Sequence, residues 1–156
     1  MRNYTEDEIR HITHNRWTGI MTRETMEIEL LHIDCSGMAV VYWDIDNLKE
    51  ANDRNGKPVS SIKMRNGVRA GQVELSCHVF SGDEYMAIMP HEDAEKMANR
   101  VQHQLRAEGM SATFVILGYT DDIWVMIDEN MDEVINTLKR SGRRGTITDT
   151  RSCYAA

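Results

Sequence analysis

The feature that most narrows the fold of this chain is the run Met38–Trp43, MAVVYW, continued by DIDNLKEANDRNG. An unbroken apolar run bounded by polar sequence is the pattern of a strand buried on both faces, so other elements must cover it on either side. The strand ends at Asp44, and a second acid, Asp46, comes two residues later. A carboxylate carried to the end of a buried strand sits where a sheet first meets solvent.

Helical patterns and further strands surround this run. TEDEIRHIT reads as a short helix with Thr5 and Glu8 in capping-box spacing. Met26, Leu30 and Ile33 give RETMEIELLHI one apolar helical face. A short helix is expected around Leu48 and another over Val59–Val68. VELSCHVF and YMAIM read as two strands joined by the tight polar turn SGDE, a β-hairpin pattern. EDAEKMANRVQHQLRAEG is a long amphipathic helix stopped by Gly109. SATFVILGY reads as a strand, IWVMI as a candidate further strand, and MDEVINTLKRSG as a closing helix. The order, roughly αβααββαβα, predicts an α+β fold, with helices packed on a mostly antiparallel sheet. No repeat, low-complexity tract or Pro/Gly-rich linker divides the chain. Residues 1–156 are therefore expected to form one domain around one core.

Composition removes several classes of function. With 41% hydrophobic and 28% charged residues the chain belongs to the globular class. A formal net charge of −7 opposes a main task of gripping nucleic-acid backbone. It leaves room for a small phosphorylated ligand, because a metal ion and a few lysines invert the local field. No apolar run approaches the ~18 residues of a membrane span. The N-terminus carries no signal-peptide pattern, so direct membrane binding is not expected and a cytoplasmic location is. Cys35, Cys77 and Cys153 have no metal-ligand spacing and are expected as reduced thiols. His11 and His14 are expected at the surface, and the 11 methionines as fillers of irregular core gaps.

Three acids carry the chemistry: Asp44 at the strand end, with Asp83 and Glu84 in the hairpin turn. Together they suit Mg²⁺ (or Mn²⁺), which takes a few hard oxygen ligands and shares the rest with water and substrate phosphates. Such ions activate a hydroxyl and stabilise a leaving pyrophosphate. Gly82 would let a phosphate or base approach the backbone, and Lys49 can reach phosphate as a point charge.

These residues also carry a family resemblance. DIDNLKEAND resembles the strand–turn–helix of GGDEF domains, Asp-x-Asp-x-Phe-Lys-x-x-Asn-Asp, and SGDEY is similar to the GGDEF signature, with Ser81 for its first glycine and Tyr85 for its phenylalanine. RWTGIMTRETM resembles the family's Leu-Thr-Gly-Leu-x-Asn-Arg opening and LKRSGRRG its closing Ala-Lys-x-x-Gly-Arg-Asn. The match runs in order from about Thr13 to Gly145. It implies a palm-type, ferredoxin-like cyclase sheet in which Asp44 and Asp83 bind metal, Glu84 assists and the Ile45 carbonyl lies nearby. Asp83 would also activate the attacking hydroxyl. Lys49 and Lys139 match lysines that bind the triphosphate, and Asn52 an asparagine that contacts the base. Asp46 is left between two roles, helix cap and metal ligand.

The departures from the pattern bear on the substrate. Cyclases that make cyclic di-GMP usually continue Gly-His-x-x-Gly-Asp, and the final aspartate reads guanine. Here GKPVSS places Lys57 at the histidine and Ser61 at the aspartate. A carboxylate only accepts, which suits the N1–H and amino donors of guanine; a hydroxyl can also donate, and so tolerates adenine. The Arg-x-x-Asp inhibitory motif is replaced by QVEL. Serine at the base-reading position and little sequence beyond the palm are similar to the stand-alone minimal CRISPR polymerases. That likeness implies a cyclic di-adenylate-type product from ATP, made in antiviral defence and sensed by an effector encoded nearby. Ordinary diguanylate cyclase activity on GTP and an inactive nucleotide-binding palm are the alternatives. Closing a ring between two nucleotides places two sites face to face, so a homodimer is expected.

Overall fold

The sheet is built outward from β1 (Met38–Ile45). In the computed structural model, which describes residues 3–16, 18–80 and 82–151, β1 pairs antiparallel with β3 (Glu84–Pro90) on one side and β4 (Ala112–Gly118) on the other. A short β2 (Ser76–His78) extends the β3 edge, and β5 (Ile147–Asp149) joins β4 in parallel, giving the order β2-β3-β1-β4-β5. The mostly antiparallel α+β architecture expected from the sequence is the one observed.

Strand alternation separates two cores. Ala39, Val41, Trp43 and Ile45 face one side, where they meet Met64 and Val68 of α4 (Lys57–Gly71) and Met97, Val101 and Leu105 of α5 (Ala94–Ala107). Val40 and Tyr42 face the other, against Met26 of α2 (Arg23–Leu30), Ile123 of α6 (Ile123–Met126) and Ile135 of α7 (Asp132–Leu138). The first side is closed tightly. A Cβ on Gly67 would lie 2.8 Å from Leu105 Cδ2, so the glycine is what lets α4 and α5 approach.

Local signals explain most helix ends. α1 (Glu6–Thr13) starts at the predicted capping box, with Thr5 and Glu8 exchanging side-chain bonds to each other's backbone. α3 (Leu48–Asn55) and α4 are divided at Gly56, whose φ of 84° is a left-handed value that favours glycine. α5 ends just before Gly109, as predicted.

Two expectations are corrected. IWVMI is no strand: it forms α6 and enters a π-helical turn, Ile127–Met131, that runs into α7. Ile123, Ile127 and Met131 recur every four residues and bury into one core, so the helical period wins over the short apolar run. The sequence reading also omitted β5, three half-buried residues that pair in parallel and so carry no hairpin signal. Trp17, Ser81 and Cys153 lie outside the described residues. Cys35 and Cys77 are buried free thiols. Among the described residues no helix is long and apolar enough to cross a membrane.

Candidate active site

Register builds the site. Asp44 on β1 stands opposite Glu84 on β3 and Thr113 on β4, so these three form one cross-strand row at the end of the sheet. One residue back, Trp43 stands opposite Tyr85 and Phe114 and points to the other face. Those rings stack, with centroids 5.4 Å apart for Trp43–Tyr85 and 5.8 Å for Trp43–Phe114. The polar row is thus mounted on a rigid aromatic one.

Lys139, where the chain leaves α7, reaches this row. Its Nζ lies 3.4 Å from Asp44 Oδ2 and 3.4 Å from Asp46 Oδ1. The remaining Asp44 oxygen, Oδ1, is buried with no hydrogen-bond partner, and so is Glu84 Oε2. Desolvation pushes the Asp44 carboxyl up to about 6; Lys139 opposes this and Asp83 adds to it. Glu84 is pushed up to about 7, first by desolvation and then by the charges of Asp44, Asp83 and Asp132. Asp83 is half-buried in the turn, and its carbonyl accepts the Ile45 N–H at 2.9 Å, tying the turn to the end of β1. Unpartnered carboxylate oxygens in a negative field are a demand for a cation. Among the described residues no three His, Cys, Asp or Glu side chains converge into a complete metal cage. A partial set is what an ion such as Mg²⁺ uses, since it keeps waters and phosphate oxygens as its other ligands.

Asp46 does not take the first of the roles left open for it, the cap of α3. The residue before α3 is Asn47, which makes no side-chain cap. The Asp46 side chain is 1% exposed and accepts Ser111 Oγ on Oδ2 and Thr113 Oγ1 on Oδ1, each at 2.7 Å. It straps the acidic loop to the start of β4.

The other expected residues stand on α3, on α4 and in the turn before β3. Lys49 is exposed on the first turn of α3. Asn52, one turn on, is half-buried, and its Oδ1 is buried without a partner. Ser61 is buried in α4 and donates its hydroxyl to the Lys57 carbonyl at 2.9 Å, an i−4 back-bond within the helix. Gly82 is exposed, and a Cβ there would meet nothing within 4 Å, so space lies over the turn. Its carbonyl accepts the buried Tyr85 hydroxyl at 2.8 Å. Phe80, which leads into the turn, lies under the Arg23 guanidinium; Arg23 also stacks on Trp124 and pairs through both terminal nitrogens with Asp128.

Sequence reasoning missed Thr113, Ser111, Asp132 and Gln102. Gln102 is buried in α5 and donates to the Ala112 and Gly145 carbonyls. Asp132 had a readable signal: it precedes Lys139 by two helical turns and so shares its face. Thr113 and Ser111 look like ordinary strand residues until the register is known.

No family model matches the chain. An uncharacterized signaling protein of Caulobacter vibrioides is 26% identical over 169 residues, covering 91% of this chain and 21% of its own length. The chain thus spans about a fifth of the curated relative it matches. The crystal structure of the diguanylate cyclase SiaD, in complex with its activator SiaC from Pseudomonas aeruginosa, aligns with a TM-score of 0.69 at 19% identity. That alignment covers 90% of this chain and 63% of SiaD. A microbial GGDEF domain described with bis-(3,5)-cyclic di-GMP aligns with a TM-score of 0.71 at 17% identity, covering 90% of this chain and 98% of that one. At these identities the likeness establishes architecture, and the architecture is that of the GGDEF domains.

Proposed function

We propose that this chain is a metal-dependent nucleotidyltransferase that joins two nucleoside triphosphates into a cyclic dinucleotide with release of pyrophosphate. The observation that carries the reading is the Glu84–Asp44 pair at the end of the central strands, with a buried, unpartnered oxygen on each acid and Lys139 beside them. Mg²⁺ or Mn²⁺ would be held by Asp44, Asp83, Glu84 and the Ile45 carbonyl. When bound, the ion would lower the pKa of an attacking hydroxyl and offset charge on the leaving pyrophosphate. Asp83 takes the proton of that hydroxyl, with Glu84 assisting. Lys49 and Lys139 bind the triphosphate, Gly82 leaves room for it, and Asn52 and Ser61 meet the base. Two copies present their nucleotides to each other, so the active form is a homodimer.

GTP is the better-supported substrate, which revises the adenine expectation drawn from Ser61. The structural neighbours are a diguanylate cyclase and a GGDEF domain described with cyclic di-GMP. The Ser61 pose points the same way: with its proton given to the Lys57 carbonyl, the hydroxyl offers only lone pairs. It can accept from guanine N1–H but cannot donate to adenine N1. A second reading keeps ATP as substrate, in the defence role with a product-sensing effector. It rests on Ser61 itself, whose hydroxyl can turn away from Lys57.

Purified protein with Mg²⁺ or Mn²⁺ and each labelled triphosphate, with products resolved by chromatography, decides among these. Cyclic di-GMP from GTP is the expected product. A cyclic adenine dinucleotide would establish the second reading, and no product with either metal would overturn both. Ser61→Asp should raise preference for GTP over ATP by about tenfold, the worth of one well-made hydrogen bond to a base edge.

A further inference from the structure

Asp46, the second acid at the end of β1, has a task of its own. Asp46 is buried and fully partnered, and its partners lead into the segment after α7. Thr113 Oγ1 donates to Asp46 Oδ1 at 2.7 Å and accepts the Gly145 N–H at 3.0 Å. The Gly145 carbonyl in turn accepts Gln102 Nε2 at 2.7 Å and Arg106 Nη2 at 2.8 Å. Gly145 has a φ of 75°, a left-handed value that favours glycine, and a Cβ there would stand 3.3 Å from Arg106 Nη2. The stretch from Lys139 to Gly145 is therefore held at both ends. Its far end is pinned to β4 and α5, and its near end is held by Asp44 and Asp46 through the Lys139 ammonium.

We propose that Asp46 and Thr113 are positioning residues, a relay that holds Lys139 beside the catalytic acids and within reach of the triphosphate. The inference rests on the cyclase reading for the identity of the phosphate ligand and deepens it. Lys139 is bound to two carboxylates with different fates. Asp44 has a second oxygen that lacks a partner, whereas both Asp46 oxygens are engaged. Were Asp44 to turn to a cation, Asp46 is the carboxylate that would keep the ammonium in place. Thr113 fixes the direction of Asp46 and the position of Gly145 with one hydroxyl, and it adds no charge of its own. Its place in the row beside Asp44 puts that control directly at the site.

Thr113→Val removes both hydrogen bonds while keeping shape and charge. The first readout needs no nucleotide: limited acylation of lysine amines in the metal-free full-length protein, quantified by mass spectrometry. Lys139, whose side chain is 11% exposed, should be protected in the wild type. Thr113→Val should raise its labelling about fivefold and Asp46→Asn by at least as much, with exposed Lys49 as the internal standard. Thr113→Ser keeps the hydroxyl and should restore protection. The second readout is calorimetric binding of inorganic tripolyphosphate with Mn²⁺, a probe without a base. Thr113→Val should weaken it about threefold, but should add nothing in a Lys139→Met background, where the arm it positions is gone. Lys139 labelling that ignores Thr113→Val, failure of Thr113→Ser to restore protection, or an equal loss of binding in both backgrounds would overturn the relay. A wild type that protects Lys139 through Thr113 yet binds no tripolyphosphate would support the relay and count against the cyclase reading.

Discussion

Two cross-strand rows lie one residue apart on the same three strands and have opposite characters. Tyr85–Trp43–Phe114 is a row of stacked, buried rings on the face that α4 and α5 seal. Glu84–Asp44–Thr113, on the other face, is polar and carries carboxylate oxygens with no partner. Each is made by one register position, so the pleat turns neighbours in sequence into neighbours in function with unlike duties. The aromatic row is where the sheet gains stability. The polar row is where stability is given up, because it gathers like charges at low dielectric and Lys139 compensates them only in part.

The strongest attempt to break this division is Asp44→Asn. Nucleotidyl transfer should fall by about 10³-fold or more, the scale seen when a preorganised charge is removed from a transition-state site. The melting temperature of the metal-free protein should hold or rise, since a repulsive, desolvated carboxylate has gone. A clear loss of stability would contradict the division. Its counterpart is Trp43→Ala, which should cost about 3–5 kcal/mol in chemical denaturation through the cavity it leaves. That is a large share of the ~5–15 kcal/mol typical of a whole domain.

A smaller effect comes from the raised carboxyl groups. The folded values, about 6 for Asp44 and about 7 for Glu84, lie above the ordinary 3.8 and 4.5. The folded protein therefore binds protons more tightly than the unfolded chain over this range. The stabilising contribution is full below about pH 4 and is lost as pH rises through 6 and 7. Differential scanning fluorimetry of metal-free protein should show this loss, and Mg²⁺ should raise the melting temperature more at pH 8 than at pH 5. An equal Mg²⁺ gain at both values would detach the metal from these acids. Smallest of all, Arg23→Ala should cost about 1 kcal/mol or less. Its two carboxylate partners, Asp128 and Glu27, are exposed enough for water to take Arg23's place, and stacking on Phe80 and Trp124 is lost with them.

Much of this was legible before the structure. The unbroken apolar run announced β1, and its last residues placed Asp44 at a sheet end. The SGDE turn announced the hairpin that brings Glu84 opposite it. What stayed hidden was set by register and by distance along the chain. Asp46 meets its partners across 65 and 67 residues, and no local pattern marks Ser111 and Thr113 as the hydroxyls that bind it. The direction of the Ser61 hydroxyl was equally invisible, because a helix offers serine a carbonyl four residues back wherever it sits. IWVMI failed for another reason: a short apolar run fits two periods, and only packing chose between them.

The Tyr85 hydroxyl has a thermodynamic consequence for this site. Tyr85, where the family pattern has phenylalanine, sends that hydroxyl to the Gly82 carbonyl from inside the aromatic row. A glycine in an exposed turn has more backbone freedom to lose than any other residue, and that loss ordinarily falls when a ligand orders the turn. Here much of it falls at folding, when the tyrosine packs. A substrate bound beside Asp83, as proposed above, would meet Gly82 already anchored, and more of each contact made there would be available as binding free energy.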